Sequence, residues 1–159
     1  MAKPTLSLVS DAFDEGGTIP VEHTCDGADT SPPLRWTDPP EGTRSWAMIV
    51  DDPDAPSKTW VHWVVYNLPA DTRHLPPGIQ GAEELPDGTR QGRTDFGRPG
   101  YGGPCPPAGK PHRYFFKLYA LDAMLELKPG ASKSRLVDEM AGHILAEGRL
   151  MGTYGRTGG

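Results

Sequence analysis

The chain has 159 residues, among them 20 Gly and 18 Pro, and carries 16 Lys plus Arg against 21 Asp plus Glu for a net charge of −5. Gly and Pro at about 24% of the chain, roughly twice their usual share, exclude a helix bundle or coiled coil, because each costs about 1 or 3 kcal/mol inside a helix. Thirteen aromatic residues argue for an ordered core over a disordered chain, and the acidic balance speaks against nucleic-acid binding spread over the surface.

A chain of this length suits one domain, 1–159, that buries roughly 70% of its unfolded-state surface without needing a metal or a disulfide. No apolar run reaches transmembrane length, and the N-terminus MAKPTLSLVSDAF has no signal-peptide pattern, so no integral membrane segment and a cytoplasmic location are expected. Cys25 and Cys105 fit no CxxC or zinc spacing. A reducing compartment favours free thiols, and a disulfide between the two remains open.

Period-two alternation recurs along the chain, as in half-buried strands. Leu6 and Leu8 alternate with Thr5 and Ser7, and Leu34 and Trp36 are the next apolar pair at this spacing. The run 45–50 (SWAMIV) is apolar on both faces, as in a central strand, and ends at Asp51-Asp52-Pro53. A strong strand follows at 60–67 (WVHWVVYN), where alternation puts Trp60, His62, Val64 and Tyr66 on one face and Val61, Trp63 and Val65 on the other.

The Gly/Pro-rich stretch 68–111 predicts a hairpin near Pro86-Asp87-Gly88 and is long enough to imply a functional loop. The strand 112–121 (HRYFFKLYAL) presents His112, Tyr114, Phe116 and Leu118 on one face and Arg113, Phe115, Lys117 and Tyr119 on the other. Ser132 or Ser134 can cap a helix running to about Glu147, with Leu136, Met140 and Ile144 as its apolar stripe and Gly148 as its C-terminal stop.

Charge is unevenly spread. Residues 1–54 hold eleven acids and three bases, whereas 88–118 hold six bases (Arg90, Arg93, Arg98, Lys110, Arg113, Lys117) and one acid, Asp95, which leaves room for a local anion site. His62 beside Trp60 and His112 beside Tyr114 each flank one of the Pro-rich loops, DPDAP (52–56) and GGPCPPAGKP (102–111). Buried imidazoles need partners, and their joint placement beside two rigid loops points to a shared pocket. GGPCPPAGK is not a phosphate-cradling P-loop: Lys110 precedes Pro111 where Ser or Thr is required, and prolines lack the N–H groups such a loop uses. There is no GxSxG elbow, HExxH helix or dinucleotide GxGxxG. A metal site from His62, His112 and a cysteine has no supporting ligand spacing.

DPDAP (52–56), WVHW (60–63), GPCPP (103–107) and HRY (112–114), in that order and together with TCDG (24–27), SPPLRW (31–36), TDFG (94–97), LYALD (118–122) and GHILA (142–146), resemble the phosphatidylethanolamine-binding protein family, and within it the bacterial Raf-kinase-inhibitor-like branch. The resemblance covers nearly the whole chain. It implies a mainly β fold, an antiparallel β-sandwich of Greek-key type with a few peripheral helices including one near the C-terminus, and a small anion pocket at one end. Carried across position by position, it assigns Asp52, Pro56, Trp60, His62, Gly103, Cys105, Pro106, Pro107, His112 and Tyr114 to that pocket. No catalytic residue, metal or cofactor is expected. The implied partners are a phosphate-type anion or phosphorylated headgroup and, by analogy with family members, a kinase or protease; bacterial relatives suggest a homodimer.

The chemistry is sensible on its own terms. Imidazole N–H groups and a phenol O–H can donate to phosphate oxygens, and Asp52 can accept from one ring nitrogen, fixing the tautomer and favouring the imidazolium form. Proline rings stiffen the rim and lower the ordering cost of binding. Arg113, on the face opposite His112, is expected to form a structural ion pair with an acid of DPDAP, with Asp54 bracing its own loop. Asp26 is expected to shape a turn, and His23, His74 and His143 to be surface or partly buried. The leading expectation is a noncatalytic anion-binding protein, ahead of an interaction inhibitor of a kinase or protease. A hydrolase using Asp52, His62 and His112 ranks last because no activated Ser or Cys is evident.

Overall fold

A computed structural model describes residues 5–156. Among them, eight strands and one α-helix alternate with long ordered loops: β1 (Leu8–Val9), β2 (Leu34–Trp36), β3 (Ser45–Asp52), β4 (Trp60–Pro69), β5 (His74–Leu75), β6 (Arg90–Gln91), β7 (His112–Leu121), α1 (Lys133–Met140) and β8 (Ile144–Tyr154). They form two antiparallel sheets, a three-stranded one in the order β1-β2-β5 and a five-stranded one in the order β6-β4-β3-β7-β8.

The apolar-on-both-faces run explains β3, which lies at the centre of the larger sheet with every residue buried. Its two faces feed two cores. Trp46, Met48 and Val50 join Trp63, Val65, Phe116 and Leu118 against Leu8, Leu34, Trp36 and Leu75 of the smaller sheet, which makes the sandwich. Ala47 and Ile49 join Val61, Val64 and Tyr66 against Leu136 and Met140 of α1. Full burial of one such Leu or Ile side chain contributes about 1.5–3 kcal/mol, so both faces of the central strand anchor the fold.

Alternation in β7 runs as its sequence predicts. In β4 it does not. Val50 pairs with Trp63 while the next residue, Asp51, pairs with Val61, so His62 is the extra residue of a β-bulge. A second irregularity falls between Trp46, opposite Leu68, and Met48, opposite Val65. The first bulge separates His62 from the face that carries Val64 and Tyr66, and it places Val61 and Trp63 in different cores.

The C-terminal region corrects the sequence reading most. Ser132 does cap α1, its hydroxyl accepting from the Arg135 N–H at 3.2 Å. The helix stops at Met140, and Gly142, at φ +84, turns the chain. From Ile144 the chain is β8, which pairs along β7 from Leu121↔Ile144 to His112↔Tyr154. Leu136, Met140 and Ile144 fit a helical period, but only the first two lie on the helix. Glycines conceal the strand: its inward positions run Ala146, Gly148, Leu150, Gly152. A Cβ at Gly148 would meet the Leu6 carbonyl oxygen at 2.5 Å, and one at Gly152 would meet Ile19 at 2.6 Å and Phe13 at 2.7 Å. Close packing requires glycine where an apolar side chain would have shown the period.

The long 68–111 stretch is pinned, not structureless. The hairpin at Pro86-Asp87-Gly88 forms, with Leu85 and Thr89 paired and Gly88 at φ +93. Gln91, fully buried, accepts from the Trp63 indole N–H at 2.7 Å and donates to the carbonyls of Gln80 at 2.7 Å and Ala82 at 2.8 Å. One amide thus satisfies the buried indole and two loop carbonyls and ties the loop to β4.

Candidate functional site

At one end of the sandwich a cleft of about 290 Å³ opens between DPDAP and GPCPP. Asp52, Pro56, Trp60, His62, Cys105, Pro106, Pro107, His112 and Tyr114 line it, together with Ala55 and Phe96. Nine of the ten residues singled out from the sequence are therefore brought together. Gly103 is not among the lining residues. Its N–H donates to Asp29 Oδ1 at 2.8 Å, and a Cβ there would strike the backbone of His23 and Thr24, so Gly103 packs the rim loop against residues 23–29.

Each side chain is set by its element. Asp52 ends β3 on the sandwich face. Its Oδ2 accepts from His112 Nδ1 at 2.7 Å, and its Oδ1 accepts from the Asp54 N–H at 2.7 Å, tightening the DPDAP turn. The bulge in β4 delivers His62, whose Nδ1 donates to the Gly102 carbonyl at 2.7 Å. Both histidines spend Nδ1 on the protein and leave Nε2 to the cleft. In its neutral form such a ring offers Nε2 as an acceptor, and on protonation as a donor. Burial, only partly opposed by the Gly102 carbonyl and the charge of Asp52, pulls the His62 pKa below its ordinary 6.5. The ring is therefore neutral near pH 7 in the free protein.

Among the described residues the buried Tyr114 hydroxyl has no hydrogen-bond partner, and burial pushes its pKa up, keeping it a donor. An unpaired buried hydroxyl costs about 1–3 kcal/mol, which a ligand oxygen would relieve. His62 meets Tyr114 edge-on at 5.2 Å and Phe96 at 5.3 Å between ring centroids, and Trp60 meets Phe96 at 5.7 Å. Polar atoms thus sit at the base of an aromatic and proline wall.

Phe96 and Ala55 are the lining residues that sequence reasoning did not assign. TDFG carried the signal for Phe96: Thr94 Oγ1 accepts from the Phe96 N–H at 3.2 Å, and Asp95 Oδ2 accepts from the Val61 N–H at 2.7 Å, docking the turn on β4. Gly102 completes the fit, since a Cβ there would overlap the Phe96 ring.

Arg113 lies on the opposite face and clasps Asp54 through Nε and Nη2, each at 2.9 Å, as expected from the sequence. Chiefly through this contact, Asp54 is held down at about 2. Asp26 does more than shape a turn: it accepts from Tyr154 at 2.7 Å and from Arg156 Nη2 at 2.6 Å, tying its loop to the end of β8. His23 is buried, with Nδ1 donating to the Thr30 carbonyl at 2.8 Å. His143 is exposed in the turn before β8, paired with Asp122 at 2.8 Å.

Cys25 and Cys105 form a disulfide. Favouring free thiols from compartment alone was wrong, because the pairing is set by loops far apart in sequence. The Cys25 N–H donates to the Pro104 carbonyl at 3.1 Å, bringing the two Cα atoms to 5.4 Å across 80 residues. Among the described residues, no group of three or more His, Cys, Asp or Glu side chains could hold a metal ion, and no helix is long and apolar enough to cross a membrane.

Residues 9–155 match the family model described as phosphatidylethanolamine-binding protein. A UPF0098 protein of Methanothermobacter thermautotrophicus is 52% identical over 151 residues, covering 95% of this chain and 99% of that protein. Another from Aquifex aeolicus is 49% identical over 153 residues, covering 95% and 89%. The crystal structure of Escherichia coli YbcL, described as a member of the mammalian PEBP family, superposes with a TM-score of 0.88 at 36% identity over 96% of this chain and 99% of that one. A Chlamydia trachomatis homologue, CT736, gives 0.87 at 40% identity, covering 96% and 98%. The order of motifs, the β-sandwich they build and the match across nearly all of its length place this chain in the phosphatidylethanolamine-binding protein family.

Proposed function

We propose that the chain is a noncatalytic binding protein whose cleft takes a phosphate-type group, either a free phosphorylated small molecule or a phosphorylated headgroup or side chain. The observation that carries this reading is the convergence of two imidazoles, each with Nδ1 engaged and Nε2 left over, and the unpartnered Tyr114 hydroxyl on one cleft. Tyr114 donates to a phosphate oxygen. Each Nε2 either donates as imidazolium or accepts the proton of a hydrogen phosphate, so the site fits an oxyanion that can carry or call in a proton. The Pro and aromatic walls exclude water and hold the geometry before the ligand arrives. The lining holds no Ser or Thr hydroxyl, and its one cysteine, Cys105, is held in the disulfide, which favours binding over turnover.

Phosphate titration followed by NMR tests it. Inorganic phosphate is expected to shift the amides around His62, His112 and Tyr114 saturably, with affinity falling as pH rises because the His62 ring loses its imidazolium form. Tyr114→Phe should weaken binding about tenfold, the usual worth of one hydrogen bond to a charged group. His112→Ala should weaken it further. Equal affinity in wild type and both variants would remove the assignment. A role in restraining a kinase or protease would use the same rim, where Phe96 is 38% exposed; Phe96→Ser that abolishes capture of such a partner while sparing phosphate binding would favour it.

A further inference from the structure

Neighbouring residues of β3 place a carboxylate on each side of the sheet. Asp52 anchors the cleft described above, while Asp51, 1% exposed, faces the opposite side. There its Oδ2 accepts from Lys133 Nζ at 2.8 Å and from Lys117 Nζ at 3.2 Å. Lys117 is the register partner of Arg149 across β7 and β8, and like charges directly opposite one another destabilise a sheet. Arg149 pairs with no carboxylate among the described residues; its guanidinium lies over the Phe115 ring at 5.0 Å. The other charges nearby do not cancel the excess. Asp54 is committed to Arg113, and Glu147 lines the adjoining groove without an ion pair among the described residues. Two lysines therefore share one buried carboxylate, and Arg149 lines the same cleft with no ion pair among the described residues, in a chain whose overall charge is −5. A cleft of about 210 Å³ opens between them, with Thr59 and the Phe115 ring on its walls.

We propose that this cleft is a second anion site, separate from the histidine cleft, which takes a small doubly charged oxyanion on Lys117, Lys133 and Arg149. Asp51 holds the two ammonium groups in place through one oxygen and leaves their remaining N–H donors to the ligand. The ligand supplies the countercharge that the Lys117–Arg149 pair lacks. Recognition here rests on lysine and arginine, whose charge persists where histidine loses its own, so the two clefts differ in pH response.

Sulfate, a dianion at all moderate pH values, separates them. Titrated into the protein at about pH 8, where ordinary histidines are neutral, sulfate is expected to shift the amides of Phe115, Lys117 and Arg149 saturably. Lys133→Met and Arg149→Gln should each weaken that binding about tenfold, as expected for loss of a charge-assisted contact, and His62→Ala should leave it unchanged. Arg149→Gln does not touch Asp51, so its result stands even if Lys133→Met disturbs the fold. Absence of saturable shifts, equal affinity in both cation variants, or loss of the shifts in His62→Ala would overturn the proposal. Phosphate shifts at His112 and Tyr114 in the same spectra report on the first cleft independently.

Discussion

His62 connects the residue scale to stability and to the proposed anion binding. Its folded-state pKa lies below the ordinary 6.5 because burial penalises the imidazolium. In the window below 6.5 the unfolded chain binds more protons at this position than the folded one. Stability therefore rises with pH through that window and levels off above it. Urea unfolding across this range should show the slope in wild type and a flatter profile in His62→Gln; parallel profiles would remove His62 as the cause. Since an anion on Nε2 favours the charged ring, saturating phosphate should reduce the loss of stability at low pH. The residue type and its flanking Trp60 were visible in the sequence. That Nδ1 is spent on the Gly102 carbonyl, 40 residues away, was not, because only the folded chain brings those two groups together.

At the scale of elements, what could be read from the sequence depended on which side chains the packing left large. β3 is apolar on both faces and β7 carries full-size apolar residues on the face it buries, so both strands were plain in the sequence. β8 buries Gly148 and Gly152 against Leu6, Ile19 and Phe13, and its period-two signal vanished into what looked like the end of a helix. The two devices at this end of the chain predict different responses. Ser132→Ala removes a helix cap and should cost about 1 kcal/mol, with exchange confined to α1. Gly148→Ala drives a methyl into the Leu6 backbone, next to the Leu6 N–H to Glu147 carbonyl bond of 2.7 Å. It should cost about 1–3 kcal/mol, as overpacking does, and raise amide exchange at Leu6 and along β8. Unchanged exchange at Leu6 would contradict the close approach. The bulge at His62 is also an element-scale decision: strict alternation placed His62 with Val64 and Tyr66, and a single extra residue divided them between the site and the helix-covered core.

For the molecule as a whole, the Cys25–Cys105 bond is a covalent constraint that joins the loop after the first strand to the rim of the cleft across 80 residues. A cross-link of that span removes unfolded-state entropy worth roughly 4–5 kcal/mol in the chain-entropy account. Reduction by a dithiol should lower the melting temperature by roughly 8–20 °C for a chain of this size, as should Cys25→Ser with Cys105→Ser. Calorimetry with and without reductant checks this, and an unchanged midpoint would show that the surrounding hydrogen bonds alone hold the rim. Because Cys105 lines the cleft, reduction should also weaken phosphate binding by loosening the proline rim.

Composition and pattern by themselves excluded a helical architecture and located the central strand and the two histidine-bearing strands, because the hydrophobic effect writes burial directly into residue order, while the sandwich came from the family resemblance. Motif order added the family and nearly all of the residues that line the cleft. Tertiary structure decided the rest: the disulfide, the bulge that aims His62, the strand hidden by glycines, the pairing of Asp51 and Asp52 with different partners on opposite faces, and Phe96 as a wall. Each of these depends on contacts between residues distant in sequence. A local pattern records which side of a strand is buried, but not which group from elsewhere in the chain will be buried against it.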